Sequence, residues 1–172
     1  MKLYRSKIEP LAKDILGTLN AARDIEVAPD RVAEAELDVR AILDQYVRVD
    51  SEVLDRAKDL VQQRNLPQTE LGRVRRIVAE ERKHKVGDDG VDWLIDQIIE
   101  GFMVSANVDE VFADDPTLRR HIHDVMRKHL EEDNAIDVEV RGRLKHLQEG
   151  TQAWEIEYQR VLQEVRKKRG AA

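Results

Sequence analysis

The sequence predicts an all-α protein of about eight helices. Apolar residues recur at intervals of three and four along almost the whole chain, which is the spacing of one face of an α-helix. Charged residues make up 37% of the 172 residues, and aromatic residues only 4%. This composition is typical of amphipathic helices that pack through aliphatic side chains and expose charged faces.

Four helices are predicted in the first half of the chain. The first covers about Pro10 to Ala22, because proline fits the first turn of a helix, where its missing N–H is not needed. Asp30 is a predicted N-cap for the second helix. Asp50 or Ser51 restarts the chain as a third helix, and Thr69 caps the fourth.

Four further helices are predicted in the second half. The segment from Trp93 to Met103 is the most apolar of the chain and should form the most buried helix. Asp115-Pro116 is a strong helix start, Asn134 begins another helix, and Gly150-Thr151 precedes the last one. Between helices, we expect one short extended pair near Ile25 and Val108, since apolar and polar residues alternate around Ile25.

The apolar pattern of the first half repeats in the second half at one constant offset, the interval from Ile8 to Val91. Residue identity is almost absent, and two runs of amphipathic helices can match by chance. The match nevertheless keeps its register through several predicted loops. We therefore predict an internal repeat of two related helical halves, residues 1–84 and 85–172. Whether these halves share one core or form two lobes stays open.

Composition excludes several classes of site. The chain has no cysteine, which excludes disulfides, thiolate zinc sites, iron–sulfur clusters and a cysteine nucleophile. The formal charge of -6 argues weakly against binding nucleic acid or an anionic membrane over the whole surface. No segment has the apolar length of a signal peptide or of a spanning helix. We expect a cytoplasmic protein that does not bind membranes.

The histidines do not form a convincing metal site. His121 and His129 share a helix face, whereas His123 points elsewhere. A metal ion would need a further ligand from another helix. Solvated surface histidines are the favoured interpretation, also for His84 and His146. A metal protein or enzyme that uses His121 or His129 is a third, less favoured alternative.

No other pattern predicts catalysis or a cofactor. The acidic pairs and runs are interpreted as helix caps and solubilising groups rather than as acid–base pairs. The chain has no Glu-x-x-His pair of the di-iron bundle type. The turn from Gly87 to Gly90 holds two aspartates, which would repel a phosphate. We therefore predict no catalytic, metal or cofactor-binding residues, and we favour a protein that is not an enzyme.

Basic clusters and one aromatic pair are the remaining candidates for a binding surface. Trp154 and Tyr158 are interpreted as core anchors of the last helix, with an aromatic hot spot at a partner or dimer interface as the alternative. The basic clusters are interpreted as solvated faces or as a possible interaction surface. The basic residues concerned are Arg73, Arg75, Arg76, Arg82, Lys83, Arg166, Lys167 and Lys168.

The leading functional prediction is a cytoplasmic protein-interaction protein or self-associating scaffold. The reason is that the sequence predicts many charged helical faces and no group of catalytic residues. A protein partner or homo-oligomer is therefore expected. The alternative is nucleic-acid binding through the basic helix 73–85 and the basic C-terminal tail. That alternative predicts retention on nucleic acid that weakens steeply with salt.

Several short segments also resemble a known family over essentially the whole chain. They are Met1 to Ile8, Glu34 to Asp38, Tyr46 to Val49, Gly72 to Val74, Ala79 to Arg82, Asn107 to Val111, Leu130, Glu149 to Thr151 and Trp154 to Tyr158. The chain is similar to a bacterial family known as a domain of unknown function, number 507 in its series. The resemblance implies a soluble bacterial protein that forms one family unit. It implies no activity and carries over no residue role.

Overall fold

The computed structural model describes residues 3–169, which are mostly helical and include a two-stranded sheet. Residues 1–2 and 170–172 lie outside the described residues. The predicted halves include all of them, and the segments that carry the family resemblance include residues 1–2. The elements are α1 (Arg5–Ala21), β1 (Ile25–Glu26), α2 (Val32–Gln63), α3 (Leu71–Glu81), α4 (Asp88–Val104), β2 (Glu110–Val111), α5 (Asp115–Arg143) and α6 (Gln152–Lys168). A short 3-10 turn, Gln68–Glu70, precedes α3.

The described residues form six α-helices, whereas the sequence predicts about eight. The first helix begins at Arg5 and contains Pro10, so its predicted start near Pro10 is wrong. Two further predicted helix starts are wrong, because Asp50 and Ser51 lie inside α2 and Asn134 lies inside α5. Short polar residues favour N-caps, which is why the sequence predicts starts there. The apolar residues on both sides keep one helical register, however. Asp50 also accepts a hydrogen bond from the Arg75 side chain, on another helix, instead of capping a backbone N–H.

The predicted short extended pair is confirmed. β1 pairs antiparallel with β2, with Ile25 opposite Val111 and Glu26 opposite Glu110. The carbonyl of Asp24 also accepts hydrogen bonds from two backbone N–H groups just after β2. This pairing joins the α1–α2 connection to the α4–α5 connection.

The central core is built from both sequence halves. It contains one face of α1, the first part of α2, most of α4 and the first part of α5. Fully burying a leucine or isoleucine side chain contributes roughly 1.5–3 kcal/mol, so this cluster is the main source of stability. Its most buried members are Leu11, Ile15, Leu19, Leu43, Leu94, Ile98, Leu118, Ile122 and Met126.

Beyond the core, each long helix continues into a two-helix arm with its own apolar cluster. In the first arm, residues 49–86, α3 packs on the second part of α2. In the second arm, residues 133–169, α6 packs on the second part of α5. The first arm buries Val53, Ala57, Val61, Val74, Val78 and Ala79, and the second arm buries Ile136, Val140, Leu144, Trp154, Tyr158, Val161, Leu162 and Val165.

Candidate functional site

A cleft of about 1380 Å³ lies between the two arms. Its walls come from α2 and the start of α3 on one side, and from α5 and the start of α6 on the other. Its floor includes the N-terminal ends of α1 and α4. Apolar side chains that line it are Leu3, Val47, Leu54, Leu71, Val91, Leu130 and Trp154. Most of these are only partly buried, so the cleft offers apolar surface as well as charge.

On the first arm, an ion pair between Asp50 and Arg75 forms part of the cleft wall. Nη2 of Arg75 lies 2.7 and 2.9 Å from the two carboxylate oxygens of Asp50. Nε2 of His84 lies 3.3 Å from the same carboxylate. The pair joins α2 to α3, and Arg75 is thereby occupied within the protein.

On the second arm, two tyrosines and one carboxylate form a polar cluster at the cleft. The hydroxyls of Tyr4 and Tyr158 are 2.6 Å apart, and both lie within hydrogen-bonding distance of Oδ1 of Asp137. Burial, together with the nearby carboxylate, raises the pKa of Tyr4 to about 12 and also raises the pKa of Tyr158. Both hydroxyls therefore stay protonated at neutral pH and act as hydrogen-bond donors.

Arg141 completes this cluster and orders Trp154. Its Nε donates to Oδ2 of Asp137 at 2.7 Å, and its Nη1 donates to Glu149. Its guanidinium lies over the Trp154 ring, 5.4 Å from the ring centroid. This is cation–π geometry. Burial opposes its charge, but the bonds to the two carboxylates raise the pKa of Arg141. The charge of Arg141 is therefore already balanced by two carboxylates of the protein itself.

Three carboxylates on the cleft have no hydrogen bond or ion pair within residues 3–169. They are Asp88 and Asp92 on α4 and Glu131 on α5, and all three are exposed. In contrast, two further cations of the cleft are already paired. Lys58 lies 3.5 Å from Glu155 of the opposite arm, and Arg127 lies 3.5 Å from a carboxylate of its own helix.

A buried carboxylate lies behind the second wall. Asp133 is 1% exposed, and neither of its oxygens has a hydrogen-bond partner among the described residues. The nearest cation is Nζ of Lys7, at 4.0 Å. Burial raises the pKa of Asp133, and the positive charges of Lys7 and Arg166 oppose this only in part.

The histidines are placed in separate pairs with aspartates. Nδ1 of His121 contacts Asp24, and Nε2 of His129 lies 2.7 Å from Asp14. Only 9% of the His129 side chain and 6% of the His84 side chain is exposed, so the surface interpretation is wrong for these two residues. Across residues 3–169 no three histidine, aspartate or glutamate side chains come close enough to hold a metal ion.

The predicted basic surface is divided between the two arms. Besides Arg75, Arg73 is paired with a glutamate at 3.1 Å and Arg82 with another at 2.9 Å, whereas Arg76 and Lys83 are exposed without a described partner. On the other arm, the guanidinium of Arg166 lies 4.6 Å from the Tyr4 ring centroid and donates to Ser6. The two remaining residues, Lys167 and Lys168, are exposed at the end of α6.

The sequence analysis missed the cleft and its polar clusters. Tyr4, Asp137 and Tyr158 are far apart in the chain, and no local pattern joins them. A signal for the half-buried Asp50 and the buried Asp133 does exist, however. Asp50 and Asp133 occupy positions on the apolar stripes of their helices, where a polar residue needs a partner. Trp154 is 7% and Tyr158 1% exposed, so their interpretation as core anchors is confirmed.

Comparison with known proteins agrees with the resemblance seen in the sequence. No curated protein matches the chain. None of the helices in residues 3–169 combines the length and apolarity that a membrane span needs. A protein family described as DUF507, a protein of unknown function, matches residues 1–171. Because this match covers nearly the whole sequence, the chain belongs to the DUF507 family.

Proposed function

We propose that this chain is a cytoplasmic, non-enzymatic protein-interaction protein that holds a segment of a partner protein between its two arms. The observation that carries this proposal is the cleft itself, with its volume of about 1380 Å³. Pockets for small molecules usually measure roughly 300–1000 Å³. The cleft also offers partly exposed apolar side chains beside charges of both signs. A polypeptide segment uses such a mixed surface better than a compact metabolite does.

We also propose that the two halves, residues 1–84 and 85–172, arose by duplication. The interval from Arg5, where α1 begins, to Asp88, where α4 begins, equals the interval from the start of α2 to the start of α5. The cleft lining supports the same relation, because seven pairs of lining residues are separated by that same interval. These pairs are Arg5 and Asp88, Val47 and Leu130, Ser51 and Asn134, Leu54 and Asp137, Lys58 and Arg141, Leu71 and Trp154, and Gly72 and Glu155. The cleft would thus lie between equivalent arms.

Site-specific photo-cross-linking tests the proposed function. A photoreactive residue at Ser51 lies in the cleft, whereas one at Asp59 lies on the same helix outside it. We expect a discrete cross-linked protein in native cells for position 51 and none for position 59. Equal products at both positions, or none at position 51, would contradict a partner in the cleft. Sedimentation of the purified chain separates a foreign partner from a second copy.

Nucleic-acid binding is the second candidate. Arg76 and Lys83 support it, because both are exposed and free of described ion pairs. Fewer cations are available than the sequence suggests, since Arg73, Arg75 and Arg82 already contact carboxylates. Replacing Arg76 and Lys83 with glutamine should abolish retention on nucleic acid in low salt. Retention that persists in this variant, or that does not change with salt, would refute this candidate.

A further inference from the structure

We infer that the partner segment is a basic amphipathic helix, with lysine or arginine on one side and aliphatic residues on the other. This inference rests on the proposed function and gives the partner its chemistry. It follows from two separate properties of the cleft, which are the charge left unpaired on its surface and the apolar strip along its walls.

The charge left on the cleft is negative because the protein pairs most of its own cations. Four of them, Arg75, Arg141, Lys58 and Arg127, each contact a carboxylate of the chain. The exposed Arg5 is the one cleft arginine or lysine within residues 3–169 for which no ion pair is found. Among the described residues, the cleft thus has one unpaired cation and three unpaired carboxylates, Asp88, Asp92 and Glu131. An approaching partner therefore meets carboxylates that can accept charge-assisted hydrogen bonds from lysine or arginine.

Helix capping does not account for all three carboxylates. Asp88 lies in the first turn of α4, where a negative charge is favourable beside the helix dipole. Asp92 lies one turn further, and Glu131 lies in the middle of α5, so neither gains from a helix N-terminus. Neither has an ion pair with a neighbouring helix among the described residues. These two residues are consequently the ones whose charge a partner would neutralise.

The apolar strip fits one face of a helix. Val47 and Leu54 on α2 are two helical turns apart and so lie on the same side of that helix, and Leu130 lies on the opposite wall. All three are only partly buried. Helix-in-groove recognition uses apolar anchors at this kind of spacing. A helix about 10 Å across would fill the cleft volume over about 18 Å, which is about 12 residues.

Two other occupants fit less well. The phosphates of a nucleic acid would lie against Asp92 and Glu131, and these like charges would repel each other. A second copy of this chain carries exposed basic residues on α3 and at the end of α6, but the aliphatic faces of both helices are already packed inside their own arms. The cross-linking experiment at Ser51 distinguishes both from a basic helix.

The test uses a synthetic 14-residue peptide of leucine and lysine in a helical amphipathic pattern, with binding measured by calorimetry on the full chain. Two control peptides carry the same residues in scrambled order, or glutamate in place of lysine. We expect saturable one-to-one binding of the first peptide only. Equal binding of the scrambled peptide, or binding of the glutamate peptide, would overturn the inference.

Matched variants then locate the binding. Asp92→Asn with Glu131→Gln should weaken the peptide about tenfold, equivalent to about 1.4 kcal/mol. Asp59→Asn with Glu80→Gln removes the same charge from exposed positions away from the cleft and should change affinity less than twofold. Equal losses in both double variants would show general attraction to an acidic protein and overturn the inference. Circular dichroism confirms that each variant is folded.

The cross-linking experiment keeps this inference separable from the proposed function. Suppose that the protein cross-linked at Ser51 is attached through an acidic or purely polar segment. This result would support the cleft as a partner site but overturn the inference that its occupant is a basic amphipathic helix. Cross-linking to a second copy, or to nucleic acid, would likewise overturn the occupant. A cross-linked segment rich in lysine and leucine at helical spacing would support it.

Discussion

The buried carboxylate of Asp133 should make the protein less stable at neutral pH than its asparagine variant. The side chain is 1% exposed, lacks a hydrogen-bond partner among the described residues and is 4.0 Å from the nearest ammonium group. An unsatisfied buried polar group costs about 1–3 kcal/mol, and a charged one more. Lys7 and Arg166 recover part of that cost. We therefore expect Asp133→Asn to stabilise the fold by about 1 kcal/mol and to raise Tm by about 2–4 °C.

The cations around Asp133 keep partners in this variant. Lys7 also lies 3.1 Å from Glu132, and Arg166 stacks on Tyr4 and donates to a serine. His129 keeps its contact with an aspartate of α1. Removal of the Asp133 charge therefore leaves no isolated cation behind, which is the usual reason why breaking a buried pair is costly.

The sign of the pH dependence follows from the raised pKa of Asp133. A group whose pKa is higher in the folded state than in the unfolded state stabilises the fold below its unfolded pKa, and that stability is lost as the pH rises through its folded pKa. The advantage of Asp133→Asn should accordingly be present at pH 7 and disappear below about pH 4. Urea unfolding at pH 7 and pH 3 measures it. The control is Glu131→Gln, at an exposed residue without an ion pair in the described part of the chain. A variant less stable than the parent at pH 7 would refute this reasoning.

Three further substitutions test the packing of α4, the surface of α1 and one hydrogen bond of the second arm, and a titration tests the tyrosines. Gly90→Ala should cost about 1–3 kcal/mol in urea unfolding, because its Cβ would clash with the hydroxyl of Tyr46. Gly17→Ala, with open space around it, should be neutral or stabilising. Tyr158→Phe should cost about 1–2 kcal/mol, because the hydroxyl that contacts Tyr4 and a carboxylate is lost. An unchanged unfolding midpoint would contradict this. Burial raises the pKa of all three tyrosines, so absorbance titration should show almost no phenolate at about pH 10.5 until the protein unfolds. Early ionisation of even one tyrosine would count against this.

The helical class was predictable because it depends on local patterns, and the extended segment at Ile25 was predictable from the alternation of apolar and polar residues around it. The spacing of Leu11, Ile15 and Leu19 predicts α1 without reference to any other part of the chain. The failed helix boundaries at Asp50 and Asn134 have a tertiary cause. A capping residue starts a helix only where the preceding residues leave the helical register, and in α2 and α5 they do not.

The candidate site was not predictable, because it depends on where the arms meet. Lys58 and Glu155 contact each other although they lie in different halves of the sequence, and no periodicity signals such a contact. The same holds for the basic surface. The sequence shows Arg75 in a run of cations, yet the fold places it against Asp50 and removes it from that surface. The number of basic residues follows from the sequence, but only those that remain unpaired after folding are available to bind a ligand.

The proposed duplication offers a reason why Asp133 has no hydrogen-bond partner among residues 3–169. At the offset that relates the two halves, Asp50 corresponds to Asp133 and Arg75 to Tyr158. In the first arm the arginine satisfies the aspartate with two close contacts. In the second arm its counterpart is a tyrosine whose hydroxyl donates to Asp137 instead. The second arm thus keeps the carboxylate but not the cation that balances it in the first arm, and α6 offers an arginine only as a more distant charge. The two arms therefore differ in how they balance the carboxylate at this position, which is paired in the cleft wall of the first arm and buried in the second arm.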